Sequence, residues 1–192
     1  MSRTSPPRSK PKVKPSAWRW IGFSAPLAVL VGLVAVAAVT GPTNETVGTA
    51  TPFTLSATDG TTISLEETLA KGDTLLYFSM GVGCDGCFAQ IPEIEAGTIQ
   101  RGLNLLPIMV DQAEMVSSEA ARFGIQRPIL IDAEARVSEA YGMVGVYGHA
   151  DRPSHSFALV RQDGTIAWIR HYAEMFVPSD ALFEELDTAL AT

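Results

Sequence analysis

Leu75-Leu76-Tyr77-Phe78-Ser79-Met80-Gly81-Val82-Gly83-Cys84-Asp85-Gly86-Cys87 is the stretch that decides how this chain is read. An unbroken apolar run bounded by turn residues fits a strand buried on both faces, as in a sheet covered by helices. A glycine-rich turn follows, and then a Cys-x-x-C motif at the point where a helix is expected to begin, running on through Phe88, Ile91, Ile94 and Ile99. Pro92 lies inside that pattern and is expected to kink or break it. A thiol at a helix start meets unpaired backbone N–H groups and the positive end of the helix dipole. Both favour thiolate over thiol and lower the pKa from about 8.5. The thiolate is the attacking species in disulfide exchange. Cys84 is therefore expected to be exposed and to attack, with Cys87 one turn further on to resolve. Asp85 opposes this, since its charge disfavours a neighbouring thiolate.

Working outward, Leu103–Val110 reads as a second buried strand, with Pro107 suggesting a bulge or an edge position. Glu114–Phe123 reads as a helix stopped by Gly124, Pro128–Asp132 as a third strand, and Ala135–Tyr141 as a short helix. Phe157–Val160 and Ile166–Ile169 flank Gln162-Asp163-Gly164, a hairpin signal. Ser179–Leu190 carries an apolar stripe of Leu182, Phe183, Leu186 and Leu190, as a closing helix should. Before the decisive stretch, Phe53–Leu55 and Thr61–Ile63 read as a hairpin around Asp59-Gly60. Ser64 with Glu67 forms a capping-box pattern for a helix over Leu65–Ala70 that Gly72 should end. The order predicts an α/β domain with a mixed sheet and helices on both faces.

The ends of the chain differ in charge. Arg3, Arg8, Lys10, Lys12, Lys14 and Arg19 lie in the first 20 residues, whereas the first acid is Glu45. No charged side chain stands between Trp20 and Asn44, and about 20 apolar residues span a bilayer core. The organisation expected is a basic disordered arm (1–20), a transmembrane anchor (21–40), a polar linker (41–51) and a redox domain (52–192). The basic arm places the amino terminus in the cytoplasm and the domain on the far side of the cell membrane. A cleaved signal peptide is the competing reading, with a shorter apolar core as its usual mark. The arm serves either anionic lipid headgroups or topology alone.

The net charge of −7 over 192 residues argues against a nucleic-acid binder, and 46% apolar residues suffice for a core. Two cysteines rule out a disulfide-dense scaffold. Alternatives for the pair are a structural disulfide, which closes a very small loop, or a zinc site completed from His149, His155 and His171, which lack close spacing. Nothing in the chain suggests a haem, flavin or nucleotide site, so no cofactor or metal is expected.

Pro52-Phe53-Thr54-Leu55, Asp59-Gly60, Ile63-Ser64-Leu65, the strand before Cys84-Asp85-Gly86-Cys87, and Phe157–Val160 with Asp163-Gly164 together resemble thioredoxin-like domains of the alkyl hydroperoxide reductase/thiol-specific antioxidant (redoxin) family. Leu75–Phe78, Val137–Met143, Ser154–Phe157 and Met175–Pro178 are similar to actinobacterial membrane-anchored redoxin-domain proteins. The resemblance spans about residues 50–190 and implies a thioredoxin-like fold. It implies either thiol–disulfide exchange with a protein partner or peroxide reduction supported by a thiol reductant; the bilayer is a further partner through the anchor. A redox-silent binding module is the third reading. Peroxidatic sites in this family carry proline seven residues and threonine three residues before the first cysteine, where this chain has Tyr77 and Gly81. Thioredoxins carry Trp before the first cysteine and Gly-Pro between the pair, where this chain has Gly83 and Asp85-Gly86. Their cis-proline position falls on His155 or Ser154, and on Pro153 only with a shift.

His155 is therefore the third site candidate. It is read as a neighbour of the cysteines that stabilises thiolate when protonated or relays a proton, or as a loop-end histidine bonded to backbone. Arg152 is read as an oxyanion or peroxide ligand or as a solvated loop arginine. Trp168 and Tyr172 are expected in core and rim packing.

Overall fold

The computed structural model describes residues 48–191. The expected arm and anchor lie outside these residues, as does most of the expected linker. Among the described residues no helix is long and apolar enough to cross a membrane.

The elements in chain order are β1 (Gly48–Thr49), β2 (Thr54–Ser56), β3 (Thr62–Ser64), α1 (Leu65–Leu69), β4 (Thr74–Phe78), α2 (Asp85–Gln100), β5 (Asn104–Met109), α3 (Ala113–Arg122), β6 (Leu130–Ile131), α4 (Arg136–Ala140), β7 (His155–Val160), β8 (Thr165–Tyr172) and α5 (Ser179–Leu190). A one-turn 3-10 segment, Val146–Gly148, precedes β7. The main sheet has the order β1-β8-β7-β4-β5-β6, and β2 pairs with β3 separately. β4 lies at its centre, parallel to β5 and antiparallel to β7. The mixed sheet is as read from the sequence.

Because alternate side chains of a strand face opposite ways, β4 divides its apolar run between two cores. Leu75 and Tyr77 join Phe88, Ile91 and Ile94 of α2, Val116 of α3, and Leu182 and Leu186 of α5. Leu76 and Phe78 join Leu65 and Leu69 of α1 with Tyr141 and Met143. Every residue of β4 is buried. Each fully buried large side chain contributes roughly 1.5–3 kcal/mol relative to exposure, so this strand anchors both layers.

Several local expectations are corrected. Residues 48–50 are not linker. Gly48 and Thr49 pair with Ile166 and Thr165 at the sheet edge, and the Ala50 N–H donates to the Gly164 carbonyl; backbone pairing needs no apolar signature. Ser64 caps α1 by position but its side chain makes no capping bond; its carbonyl accepts from Thr68 Oγ1 instead. The helix stops at Leu69, before Gly72. α2 runs through Pro92 without a break, since its apolar face is held in the core on both sides of the proline.

Pro107 stands in β5 opposite Tyr77 with regular register and no bulge. β6 meets β5 only at Ile108 and Met109. The Leu105 carbonyl, which faces the same side as the Pro107 nitrogen, accepts instead from Arg127 Nη1 at 2.9 Å. Pro107 therefore occupies a local edge inside a strand that is central elsewhere.

Candidate redox site

The carboxyl end of β4 delivers the chain into the turn Ser79–Gly83, and Cys84 caps α2. The Cys84 N–H donates to the Gly81 carbonyl at 3.1 Å. The Cys87 N–H donates to the Cys84 carbonyl at 3.0 Å and to Cys84 Sγ at 3.2 Å. Cys84 and Cys87 are joined by a disulfide, with their Cα atoms 5.3 Å apart. The two sulfurs are thus adjacent at the amino end of a helix, as the spacing predicts.

Cys84 is not exposed as expected. It retains 5% of its surface, and Cys87 retains none. The connection between β8 and α5 packs against the turn that joins the cysteines: a Cβ on Gly86 would lie 2.6 Å from the Met175 carbonyl oxygen. The same connection is tied to α2 by the Val177 N–H, which donates to Oε1 of the fully buried Gln90 at 2.6 Å. A helix start predicts electrostatics, not which distant segment crosses it. Gln90, a polar residue inside an apolar stripe, was the available signal.

His155 is the first residue of β7, fully buried. The loop-end reading is therefore corrected: the hairpin extends to this end of the sheet, pairing His155 with Tyr172. Its Nδ1 lies 3.1 Å from the Tyr77 hydroxyl, and that hydroxyl donates to the Cys87 carbonyl at 3.1 Å. A carbonyl only accepts, so when both bonds form, Tyr77 gives its proton to Cys87 and His155 Nδ1–H donates to Tyr77. His155 Nε2 is then a lone pair with no hydrogen-bond partner among the described residues. Burial lowers the His155 pKa to about 4 and pushes that of Tyr77 well above its ordinary value. With the disulfide closed, burial favours the neutral form of His155 and works against the protonated form that the thiolate-stabilising reading needs. The link from His155 to the cysteines runs through Tyr77, which the sequence had offered as a core strand residue and as a departure from the peroxidatic pattern, not as a bridge.

Arg152 stays partly solvated, with 38% of its side chain exposed, but both of its terminal nitrogens are engaged within the protein rather than free for an anion. Its Nη1 and Nη2 grip the two Asp111 carboxylate oxygens at 3.0 and 2.9 Å, and Nη1 also donates to the Met80 carbonyl at 2.7 Å. Asp111 Oδ2 accepts the Val82 N–H at 2.7 Å. Asp111 raises the Arg152 pKa still further. Trp168 is buried in the core, and Tyr172 packs edge-on to Phe157 beneath Arg170, as expected of core and rim. His171 Nδ1 bonds the Ser156 hydroxyl at 2.8 Å. Among the described residues every peptide bond is trans, Pro153 included, and no group of three or more His, Cys, Asp or Glu converges as a metal site would require.

The Redoxin family model matches residues 46–178, most of the chain and all of this site. The chain belongs to the Redoxin family. Solved structures share its thioredoxin-like fold. Peroxidoxin BcpB from Mycobacterium tuberculosis is 21% identical, covering 77% of this chain and 95% of its own, with a TM-score of 0.60. A candidate protein disulfide isomerase from Bacteroides thetaiotaomicron is 20% identical, covering 78% and 92%, with a TM-score of 0.59. A thiol peroxidase from Chromobacterium violaceum is 17% identical, covering 74% and 86%, with a TM-score of 0.60. No curated protein matches the chain. Within this Redoxin fold, the features that bear on chemistry are the Cys84–Cys87 disulfide and the polar groups that surround it.

Proposed function

We propose that this Redoxin-family protein is a thiol–disulfide oxidoreductase of the membrane-anchored redoxin type, held at the cell membrane by residues 21–40 with its redox domain outside the cytoplasm. The observation that carries the redox reading is the Cys84–Cys87 disulfide at the start of α2. The charge-free apolar run after a basic arm supports the tether.

In the reducing direction, the Cys84 thiolate attacks a partner disulfide. The partner's S–S bond breaks, a mixed disulfide forms, and the departing partner thiolate takes a proton. Cys87 loses its proton and attacks Cys84 Sγ, releasing the second partner thiol and closing the Cys84–Cys87 bond. Two electrons pass to the partner, and the oxidising direction is the reverse. Neutral His155, through Tyr77, holds the Cys87 carbonyl and so orients the resolving turn.

Peroxide reduction is the second reading, favoured by the Redoxin family match. There Cys84 is oxidised to sulfenic acid and Cys87 condenses with it, releasing water. Against it, Tyr77 and Gly81 stand where the peroxidatic pattern has proline and threonine, and Arg152 is already engaged by Asp111.

The test uses the full-length chain in two assays, reduction of a protein disulfide and thiol-supported consumption of hydrogen peroxide. Disulfide turnover lost in Cys84→Ser, with slow peroxide consumption, supports the first reading. Fast peroxide turnover abolished only in Cys84→Ser replaces it with the second. Equal rates in the parent and the Cys84→Ser/Cys87→Ser variant, or a disulfide that persists in strong dithiol reductant, identify a redox-silent module instead. The burial of both cysteines makes that last measurement decisive.

A further inference from the structure

The turn that presents Cys84 is held from outside by two residues far apart in the chain. Asp111 follows β5 and Arg152 precedes β7, so the sheet brings them together at the carboxyl end of β4. Between them they take both polar groups of the chain that flank Gly81: the Val82 N–H goes to Asp111 Oδ2, and the Met80 carbonyl accepts from Arg152 Nη1. The guanidinium closes the circuit on both carboxylate oxygens. Planar fork-on-fork pairing of this kind fixes orientation as well as distance. Gly81 sits at φ +84°, and a Cβ built there would overlap Asp111 Oδ2. The turn residue and the carboxylate are therefore fitted to each other. The Gly81 carbonyl in turn accepts the Cys84 N–H. A continuous path of bonds thus runs from the Asp111–Arg152 pair through the turn to the backbone of the first cysteine.

We infer that Asp111 and Arg152 are positioning residues of the redox centre: by clamping Met80–Val82 they set where Cys84 sits at the amino end of α2, and so set the thiol–disulfide equilibrium. This rests on the redox reading above. A thiolate is stabilised at a helix start only while its sulfur stays among the terminal N–H groups. A loosened turn costs the reduced form that stabilisation and shifts the pair toward disulfide.

The deciding measurement equilibrates the full-length chain in glutathione buffers, where two glutathione thiols give up two electrons and two protons to form glutathione disulfide while the Cys84–Cys87 bond breaks and takes them up. Thiols are then trapped by alkylation and counted. Arg152→Lys keeps the charge but lacks the fork, and should favour the disulfide at least tenfold, a shift of about 30 mV to lower potential. It should also raise the pH at which Cys84 alkylates. Asp111→Asn should shift the equilibrium away from the parent value. Arg161→Lys, which disturbs an aspartate–arginine pair at the other end of the sheet, should leave it unchanged. If Arg152→Lys and Asp111→Asn both stay within twofold of the parent, the positioning role is overturned. It is overturned as well if Arg161→Lys shifts the equilibrium as far as they do, since the effect is then general loosening. If the parent disulfide itself resists every buffer, the redox reading fails and this inference with it.

Discussion

Two aspartate–arginine pairs close opposite ends of the same sheet, one through a single hydrogen bond and the other through a two-bond fork. At the amino end of β4, Arg161 Nη1 bonds Asp73 Oδ2 at 2.9 Å, Asp73 Oδ1 accepts the Gln162 N–H, and Arg161 Nη2 donates to the Ala189 carbonyl. At the carboxyl end, Arg152 binds both oxygens of Asp111, while Asp111 also accepts the Val82 N–H and Arg152 also donates to the Met80 carbonyl. The far pair ties a hairpin to the last turn of α5. The near pair ties down the turn that carries a cysteine. The carboxylates differ in burial: the Asp111 side chain is 8% exposed and that of Asp73 25%. A single hydrogen bond to a partly exposed carboxylate serves packing at one end, and a two-bond fork on a nearly buried carboxylate orients a reactive group at the other.

The largest contrast should come from removing each arginine. Arg152→Met strands a nearly buried carboxylate and should cost about 3 kcal/mol in urea unfolding of the oxidised form. Arg161→Met leaves a more hydrated one and should cost about 1 kcal/mol. Equal costs would mean that the burial difference has no energetic consequence.

Next in size is an acid sensitivity confined to the redox end. The folded pKa of His155 is about 4, against an ordinary 6.5, because burial disfavours the cation. Below pH 6.5 the unfolded chain binds a proton that the folded chain refuses, so stability falls as pH drops from about 6.5 to about 4 and this contribution levels off below. The loss is on the order of 3 kcal/mol. His155→Phe should flatten that segment of the stability–pH curve relative to the parent, and an unchanged slope would show that His155 does not carry it.

A smaller difference should separate two glycines of positive φ. Gly164→Ala, at the far hairpin with open space around it, should cost only the conformational penalty of about 1–2 kcal/mol. Gly81→Ala carries the same penalty and displaces Asp111 as well, so it should exceed Gly164→Ala by at least about 1 kcal/mol and also shift the glutathione equilibrium. The smallest effect belongs to Arg101→Gln. It cuts the exposed bond to Asp187 between α2 and α5, worth about 0.2–1 kcal/mol, and should leave redox behaviour alone.

Much of the fold was legible locally. The run at β4, the hairpin around Asp163-Gly164 and the stripe of α5 each announce themselves within a short window, because burial on one or two faces imposes a period on the chain. The Cys84–Cys87 spacing was equally legible, since one helical turn brings those residues together. Pro107 misled in part: whether a strand position is an edge depends on how far its neighbour extends, and β6 is too short to reach it. The burial of Cys84 was not legible either, because the Met175 segment that packs on the cysteine turn lies far along the chain, beyond the last strand.

From the amino-acid order alone came the alternation of strands and helices, the place of the cysteine pair at a helix start, and the charge-free segment ahead of the domain. These follow from periodicity, helix geometry and charge, all of them short-range properties. Only the folded sheet decided that His155 reaches the cysteines through Tyr77, that Arg152 is claimed by Asp111, and that Gly81 must lack a side chain. Each depends on partners from separate strands meeting at one end of β4, and strand order, which no local pattern encodes, determines which ends meet.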